Sequence, residues 1–148
     1  MSIQTLLKSK GRFVPIISSD VTIADVIDKL ELDKAGALVV TDDTHSIQGL
    51  ITERDIARGL KKFGRNLLDK PVGELMTRHV HTCDINQSIE DVLRLMDGKQ
   101  IHYVPITRNG ELFGIINMLD LVTYRLSQID AEARALKAYV SGRPDLES

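Results

Sequence analysis

The sequence predicts an α+β fold made of two copies of one β-α-β-β-α unit, closed by a long C-terminal helix. Three observations carry this. Shifting the chain by 66 residues lays VTIADVIDKLELDKAGALVVTD over QSIEDVLRLMDGKQIHYVPITR, matching Asp25 to Asp91, Val26 to Val92 and Thr41 to Thr107. After a one-residue contraction the offset becomes 65, and GLITERD at 49–55 meets GIINMLD at 114–120. From Asp120 onward there is no Pro or Gly until Gly142. Two copies are too few for a solenoid, so a closed pair is expected.

Each copy reads through the same elements. An extended segment (FVPIIS at 13–18, HVHTCD at 79–84) leads into a helix that opens on Thr22 with Asp25, or Ser88 with Asp91, the spacing of a capping box. Ile23, Val26, Ile27 and Leu30 recur at helical spacing, as do Ile89, Val92, Leu93 and Met96. The apolar strands ALVVT and YVPIT follow, then a polar turn and a second strand, IQGLI or LFGII. Asn109-Gly110 marks the second turn as a tight hairpin. A second helix starts near Asp55 and near Asp120. The repeats are assigned to 10–66 and 79–127, with a crossover at 67–78 and a helical extension and tail at 128–148.

In the final helix Val122, Leu126, Ile129, Ala133, Leu136 and Val140 step by four and three alternately, a heptad seam. It serves either packing on its own domain or contact with a second copy, giving a homodimer. The opening segment IQTLLKSK reads as an accompanying helix.

Composition bounds the rest. The chain has 148 residues, 43% hydrophobic and 27% charged, ordinary for a soluble globular protein. A net charge of −2 and only 4% aromatic residues argue against nucleic acid as a partner. A lone cysteine, Cys83, fits a reducing compartment, and no signal-like or membrane-spanning apolar run occurs, so a cytoplasmic location without membrane contact is expected. His79, His81 and Cys83 alternate along a strand-like stretch, but nothing in the sequence obviously completes a zinc set, and Cys83 has no evident base partner. No Walker-type or G-x-G-x-x-G loop is present, so no catalytic cofactor and no enzymatic activity are expected.

With the repeat, the element order and the two G-h-h-x-x-x-D stretches in hand, the chain resembles a tandem pair of CBS (cystathionine-β-synthase) domains of the stand-alone bacterial type, over roughly residues 10–126. GLITERD fits that family's Gly-h-h-Thr/Ser-x-x-Asp signature in full, whereas GIINMLD carries Asn117 where Thr or Ser is usual. The resemblance implies two domains facing across a pseudo-two-fold axis, with two equivalent clefts that take AMP or a related adenosine nucleotide, ADP or ATP, NAD(H)-type dinucleotides or S-adenosylmethionine. It also implies dimerisation and a regulatory role exerted on an unidentified downstream protein.

The residues suit such a ligand. A carboxylate can accept from both hydroxyls of a ribose through charge-assisted bonds, and a helix start favours it there. That gives Asp55 and Asp120 a role, with Thr52, or Asn117 and its neighbour Met118, beside them. An aspartate at a helix start is also an ordinary cap, and that reading stays open. The small residues Ala35, Gly36 and Ala37, with Leu38, let an adenine approach the main chain. By resemblance they face the Asn117/Asp120 corner, while Ile101 and Tyr103 wall the Thr52/Asp55 corner. His102 stands where the family often carries a base that meets phosphate. Arg54 and Arg58 lead a basic helix face that is either solvated surface or the phosphate-facing rim. The alternative to a nucleotide sensor is a constitutive homodimeric scaffold with no physiological nucleotide.

Overall fold

The computed structural model describes residues 2–11 and 13–141. The chain runs α1 (Ile3–Lys10), β1 (Ile16–Ser18), α2 (Ile23–Asp33), β2 (Ala37–Thr41), β3 (Ile47–Thr52), α3 (Glu53–Phe63), a 3-10 turn (Gly64–Asp69) and α4 (Val72–Leu75). The second half follows as β4 (Cys83–Asp84), α5 (Ile89–Lys99), β5 (Tyr103–Arg108), β6 (Glu111–Asn117) and α6 (Met118–Ser141). Each half is therefore β-α-β-β-α. The extended segments are shorter than the sequence suggests, because only Ile16–Ser18 and Cys83–Asp84 find ladder partners. The tail at the end of the 128–148 extension lies outside the described residues from 142 onward.

The duplication persists in the hydrogen bonding. Both sheets have three strands, ordered β1-β2-β3 and β4-β5-β6, with a parallel and then an antiparallel pairing. Ala37 pairs with Thr52 as Tyr103 pairs with Asn117, and the register slips after Val40 as it does after Ile106. Thr22 with Asp25 and Ser88 with Asp91 both form reciprocal capping boxes. Asn109 and Gly110 adopt positive φ (53° and 80°), as the tight hairpin requires.

The strands have two buried faces. Leu38, Val40 and Ile51 point into the first half's own core beneath α2, with Val26 and Leu67. Val104, Ile106 and Ile116 do the same in the second half with Val92 and Met96. The intervening residues Ala37, Val39 and Leu50 meet Ile115, with Tyr103 and Leu112 packed beside them, and so join the two sheets. Leu50 and Tyr103 of this join also line a cavity.

Helix α1 belongs to the second half. Ile3, Leu6 and Leu7 are buried in that half's core, and Leu7 lies against Gly114, where a methyl group would meet its Cδ atoms at 3.0 Å. In the first half the same service comes from the crossover: a methyl at Gly49 would meet Met76 Sδ at 2.7 Å and the Thr77 carbonyl at 2.8 Å. The glycine that opens each repeated motif therefore admits a covering segment.

The seam of α6 is not spent on its own domain. Leu126 and Leu136 are 62% and 64% exposed, and Val122 and Ile129 are also exposed.

Because α1 completes a core, truncating it is expensive. Leu7→Ala is expected to cost about 2–5 kcal/mol in urea unfolding, and a loss below about 1 kcal/mol would detach α1 from the core.

Candidate functional site

Strand β3 ends and α3 begins at Thr52, and the backbone turn there makes the corner. The Thr52 N–H and its hydroxyl both donate to Asp55 Oδ2, at 3.0 and 3.1 Å, and the Asp55 N–H donates to Thr52 Oγ1 at 3.2 Å. The cap anticipated for Asp55 is thus present. It uses one carboxylate oxygen. Oδ1 takes no part in the box and has Arg58 Nη1 at 3.9 Å. Asp55 is a buried carboxylate at the start of a helix, in an environment that suits donors from a neutral or anionic ligand.

A cavity of about 450 Å³ opens beside this corner. From the first half it is lined by Gly36, Leu50, Thr52, Glu53, Arg54, Asp55 and Arg58. Thr77 of the crossover adds to it, and the second half contributes Lys99, Gln100, Ile101, His102 and Tyr103. The halves therefore build it jointly. Three basic side chains (Arg54, Arg58, Lys99) stand against two acidic ones (Glu53, Asp55), and the apolar faces are Leu50, Ile101 and the Tyr103 ring. At Gly36 the absence of a side chain is essential, since a methyl would run into the Tyr103 hydroxyl and lie 2.9 Å from Glu53 Oε1. Burial, and then the Glu53 charge, push the Tyr103 phenol above its ordinary range, so it stays a neutral donor.

Of the residues picked from the sequence, Thr52, Arg54, Asp55, Arg58, Gly36, Ile101, His102 and Tyr103 come together here. Gly36 was expected opposite Asn117 and Asp120, but it lines the cavity of the Thr52/Asp55 corner. The reason is the ladder: Ala37 pairs with Thr52, and the Glu53 N–H donates to the Gly36 carbonyl at 3.1 Å. Ala35 and Leu38 do not line this cavity. Both pack with the first half's own core, and Ala37 is buried between the sheets. Leu50, Glu53, Thr77, Lys99 and Gln100 were not picked. Glu53 sat inside the quoted motif and Lys99-Gln100 immediately before Ile101, so proximity was an available signal. Thr77 reaches the site through backbone pairing with Leu50, which leaves no local mark.

The second corner is a near copy in its cap. The Asn117 N–H donates to Asp120 Oδ2 at 2.9 Å, and the Asp120 N–H donates to Asn117 Oδ1 at 2.8 Å. Met118 packs against the second-half core, and its N–H donates to the His102 carbonyl at 2.9 Å. Lys10 Nζ lies 2.6 Å from Asp120 Oδ2.

The stretch carrying His79, His81 and Cys83 is not one strand face. The two imidazoles meet edge to face with centroids 6.3 Å apart, while Cys83 is buried in the second-half core. Its thiol is pushed up by burial and by the Asp91 charge, the opposite of what a nucleophile needs. Among the described residues no group of three or more His, Cys, Asp or Glu is placed to hold a metal ion, and no helix is long and apolar enough to cross a membrane.

The paired sheets and the doubled corner define a tandem pair of matching domains that share a cavity. The CBS domain model matches residues 12–62 and 72–127, and the chain belongs to the CBS domain family. A 17.7 kDa protein of Acidianus ambivalens is 33% identical over 73% of this chain, which spans 65% of that relative's length. The crystal structure of the CBS-domain protein ATU1752 from Agrobacterium tumefaciens superposes with a TM-score of 0.82 at 34% identity, covering 84% of this chain and 99% of that one. The CBS pair of protein MJ0100, solved with 5'-methylthioadenosine and S-adenosylmethionine, shares the fold (TM-score 0.77) at 22% identity, covering 86% of this chain and 98% of that one.

The environment of Tyr103 is open to direct measurement. Its phenolate absorbance, taken as the difference from Tyr103→Phe, is expected to appear above the ordinary tyrosine value of about 10. Glu53→Gln should lower that midpoint without restoring it, because burial remains the larger cause. A folded pKa above the unfolded one means that this contribution to stability is present below the ordinary value and lost as pH rises through the folded one. A Tyr103 that titrates normally in the native protein would contradict the packing.

Proposed function

We propose that the chain is a regulatory module that binds an adenosine nucleotide in the cleft at Thr52 and Asp55. The carrying observation is the 450 Å³ cavity that both halves build around a buried helix-start carboxylate. Its volume falls in the range of small-ligand sites, about 300–1,000 Å³. Asp55 accepts from the ribose hydroxyls through the oxygen its cap leaves unused. Ile101, Tyr103 and Leu50 supply the apolar walls for the base, and Gly36 lets it approach the main chain. Arg54, Arg58 and Lys99, with His102, receive phosphate. This cationic excess favours AMP, ADP, ATP or NAD(H) over the sulfonium of S-adenosylmethionine, with AMP the best match to one phosphate-sized rim.

Binding in such a place has a mechanical consequence. Residues 36–58 and 99–103 belong to different halves, so a ligand that touches both biases their relative packing. That bias is the free energy available to a downstream protein, and it equals the difference in ligand affinity between the two packings. A second reading, the homodimeric scaffold, is supported by the exposed α6 seam at Leu126, Ile129 and Leu136. The two are compatible, since a dimer can carry the signal.

In a thermal-shift panel, AMP at about 100 times its dissociation constant should stabilise the protein by about 2.7 kcal/mol, and S-adenosylmethionine should do less. Asp55→Ala should abolish the shift, and Arg54→Ala with Arg58→Ala should reduce AMP binding toward that of adenosine. A flat panel sinks the sensor reading and leaves the scaffold.

For the seam, Leu126→Glu with Leu136→Glu should convert a dimer to monomers by light scattering. An unchanged mass removes α6 from the interface.

A further inference from the structure

The two corners share a cap and differ in what surrounds it. In the first, the Leu50 carbonyl accepts from the Thr77 N–H at 2.8 Å. Ile115 is the repeat counterpart of Leu50, and its carbonyl instead accepts from Lys10 Nζ at 2.8 Å. The same ammonium reaches Asp120 Oδ2 at 2.6 Å. Among the described residues, the cation paired with Asp55 in the first corner is the Arg58 guanidinium, 3.9 Å away. Lys10 is held in place by more than its own contacts. It ends α1, whose Leu6 and Leu7 are buried in the second-half core, and both members of the pair are shielded, at 23% and 17% side-chain exposure.

The flanking positions have changed as well. By the repeat offsets, Arg54, Arg58 and Lys99 of the first corner correspond to Leu119, Thr123 and Asp33. The three cation positions of the first corner thus hold no cation in the second, where Lys34 stands at the counterpart of Gln100 and Lys10 pairs with the carboxylate.

We propose that Lys10 is a specificity-determining residue that confines the ligand to the first cleft, because its ammonium, held on the capped oxygen Oδ2 and on the Ile115 carbonyl, offsets the Asp120 charge that would otherwise draw a ribose diol to the uncapped oxygen. This rests on the adenosine reading of the first cleft. An ammonium brings three donors and a full charge, so it bonds Asp120 Oδ2 and the Ile115 carbonyl together and lowers the pull of the whole carboxylate on a further donor. A neutral diol offers only hydroxyl donors and must also be ordered from solution. The chain accordingly takes a single ligand, and the vestigial corner becomes a joint that ties α1 to the first turn of α6.

The test uses the full chain labelled with 15N and titrated with adenosine, which needs no phosphate contacts. In the wild type the amides of Thr52 and Asp55 shift saturably, and those of Asn117 and Asp120 stay still. In Lys10→Ala the Asn117 and Asp120 amides also shift saturably, and calorimetric stoichiometry rises from one ligand per chain to two. Lys10→Gln, which keeps a polar stem without the charge, gives the same result and serves if the alanine variant folds poorly by circular dichroism. Asn117 and Asp120 amides that respond in the wild type, or fail to respond in both variants, overturn the proposal. If the Thr52 and Asp55 amides respond in none of the proteins, the first-cleft reading is what fails. Lys10 is then judged on the Asn117 and Asp120 signals alone.

Discussion

Packing between the two sheets is the constraint on which the rest depends. Each half is a three-stranded sheet with helices on one side, and such a sheet exposes an apolar face unless something covers it. Here the cover is the other half: Ala37, Val39 and Leu50 against Ile115, Tyr103 and Leu112. The central strand residues thus alternate, one set toward the join and the other into a private core. The corners at Thr52 and Asn117 lie at the ends of the joined strands. Their placement beside the opposite half follows from how the join is made, without any dedicated loop. Removing apolar area from the join would therefore loosen the cleft together with the fold.

Duplication makes two corners and covering segments make them differ. Gly49 admits Met76 and Thr77 of the crossover, whereas Gly114 admits Leu7 of α1. The antiparallel bridges repeat the pattern, Thr22 with Pro71 in the first half and Ser2 with Ser88 in the second. The crossover and α1 are therefore equivalent pieces, each laid over the motif glycine of one half. What they bring to the corner is not equivalent. The crossover offers a threonine and backbone, and α1 ends in a lysine long enough to reach the carboxylate. Chemical asymmetry enters a symmetric frame through the two segments least constrained by the repeat.

Much of this was legible in the sequence, for physical reasons that can be named. Capping boxes are local, so Thr22 with Asp25 and Ser88 with Asp91 announced both helices, and Asn109-Gly110 announced its turn through the backbone conformation it tolerates. The corner residues were legible because they repeat. The direction of β2 was not. Its five residues are all buried, since both faces are covered, and a strand without polar alternation does not say which side is which. That is why Leu38, which lies in the first half's own core, was counted among the cleft residues. The partnership of α1 with the second half was equally hidden, because it links residues 10 and 120 and leaves no periodicity in either segment.

The unequal corners also suggest how a signal can be directed. A ligand held by Asp55 as proposed would touch α3 at its first turn and the segment from Lys99 to Tyr103 of the other half, so its effect would fall on the join. The second corner lies across that join, where Asp120 holds α1 through Lys10 and begins α6. On the proposed reading, motion at the join would reach α6, the helix that projects an exposed apolar seam. If both corners bound ligand, the restraint on α6 would vary with the occupancy of its own root. If Lys10 keeps the second corner closed to ligand as proposed, the root stays fixed and only the far side would respond, which would give one input and one output from a frame built by duplication.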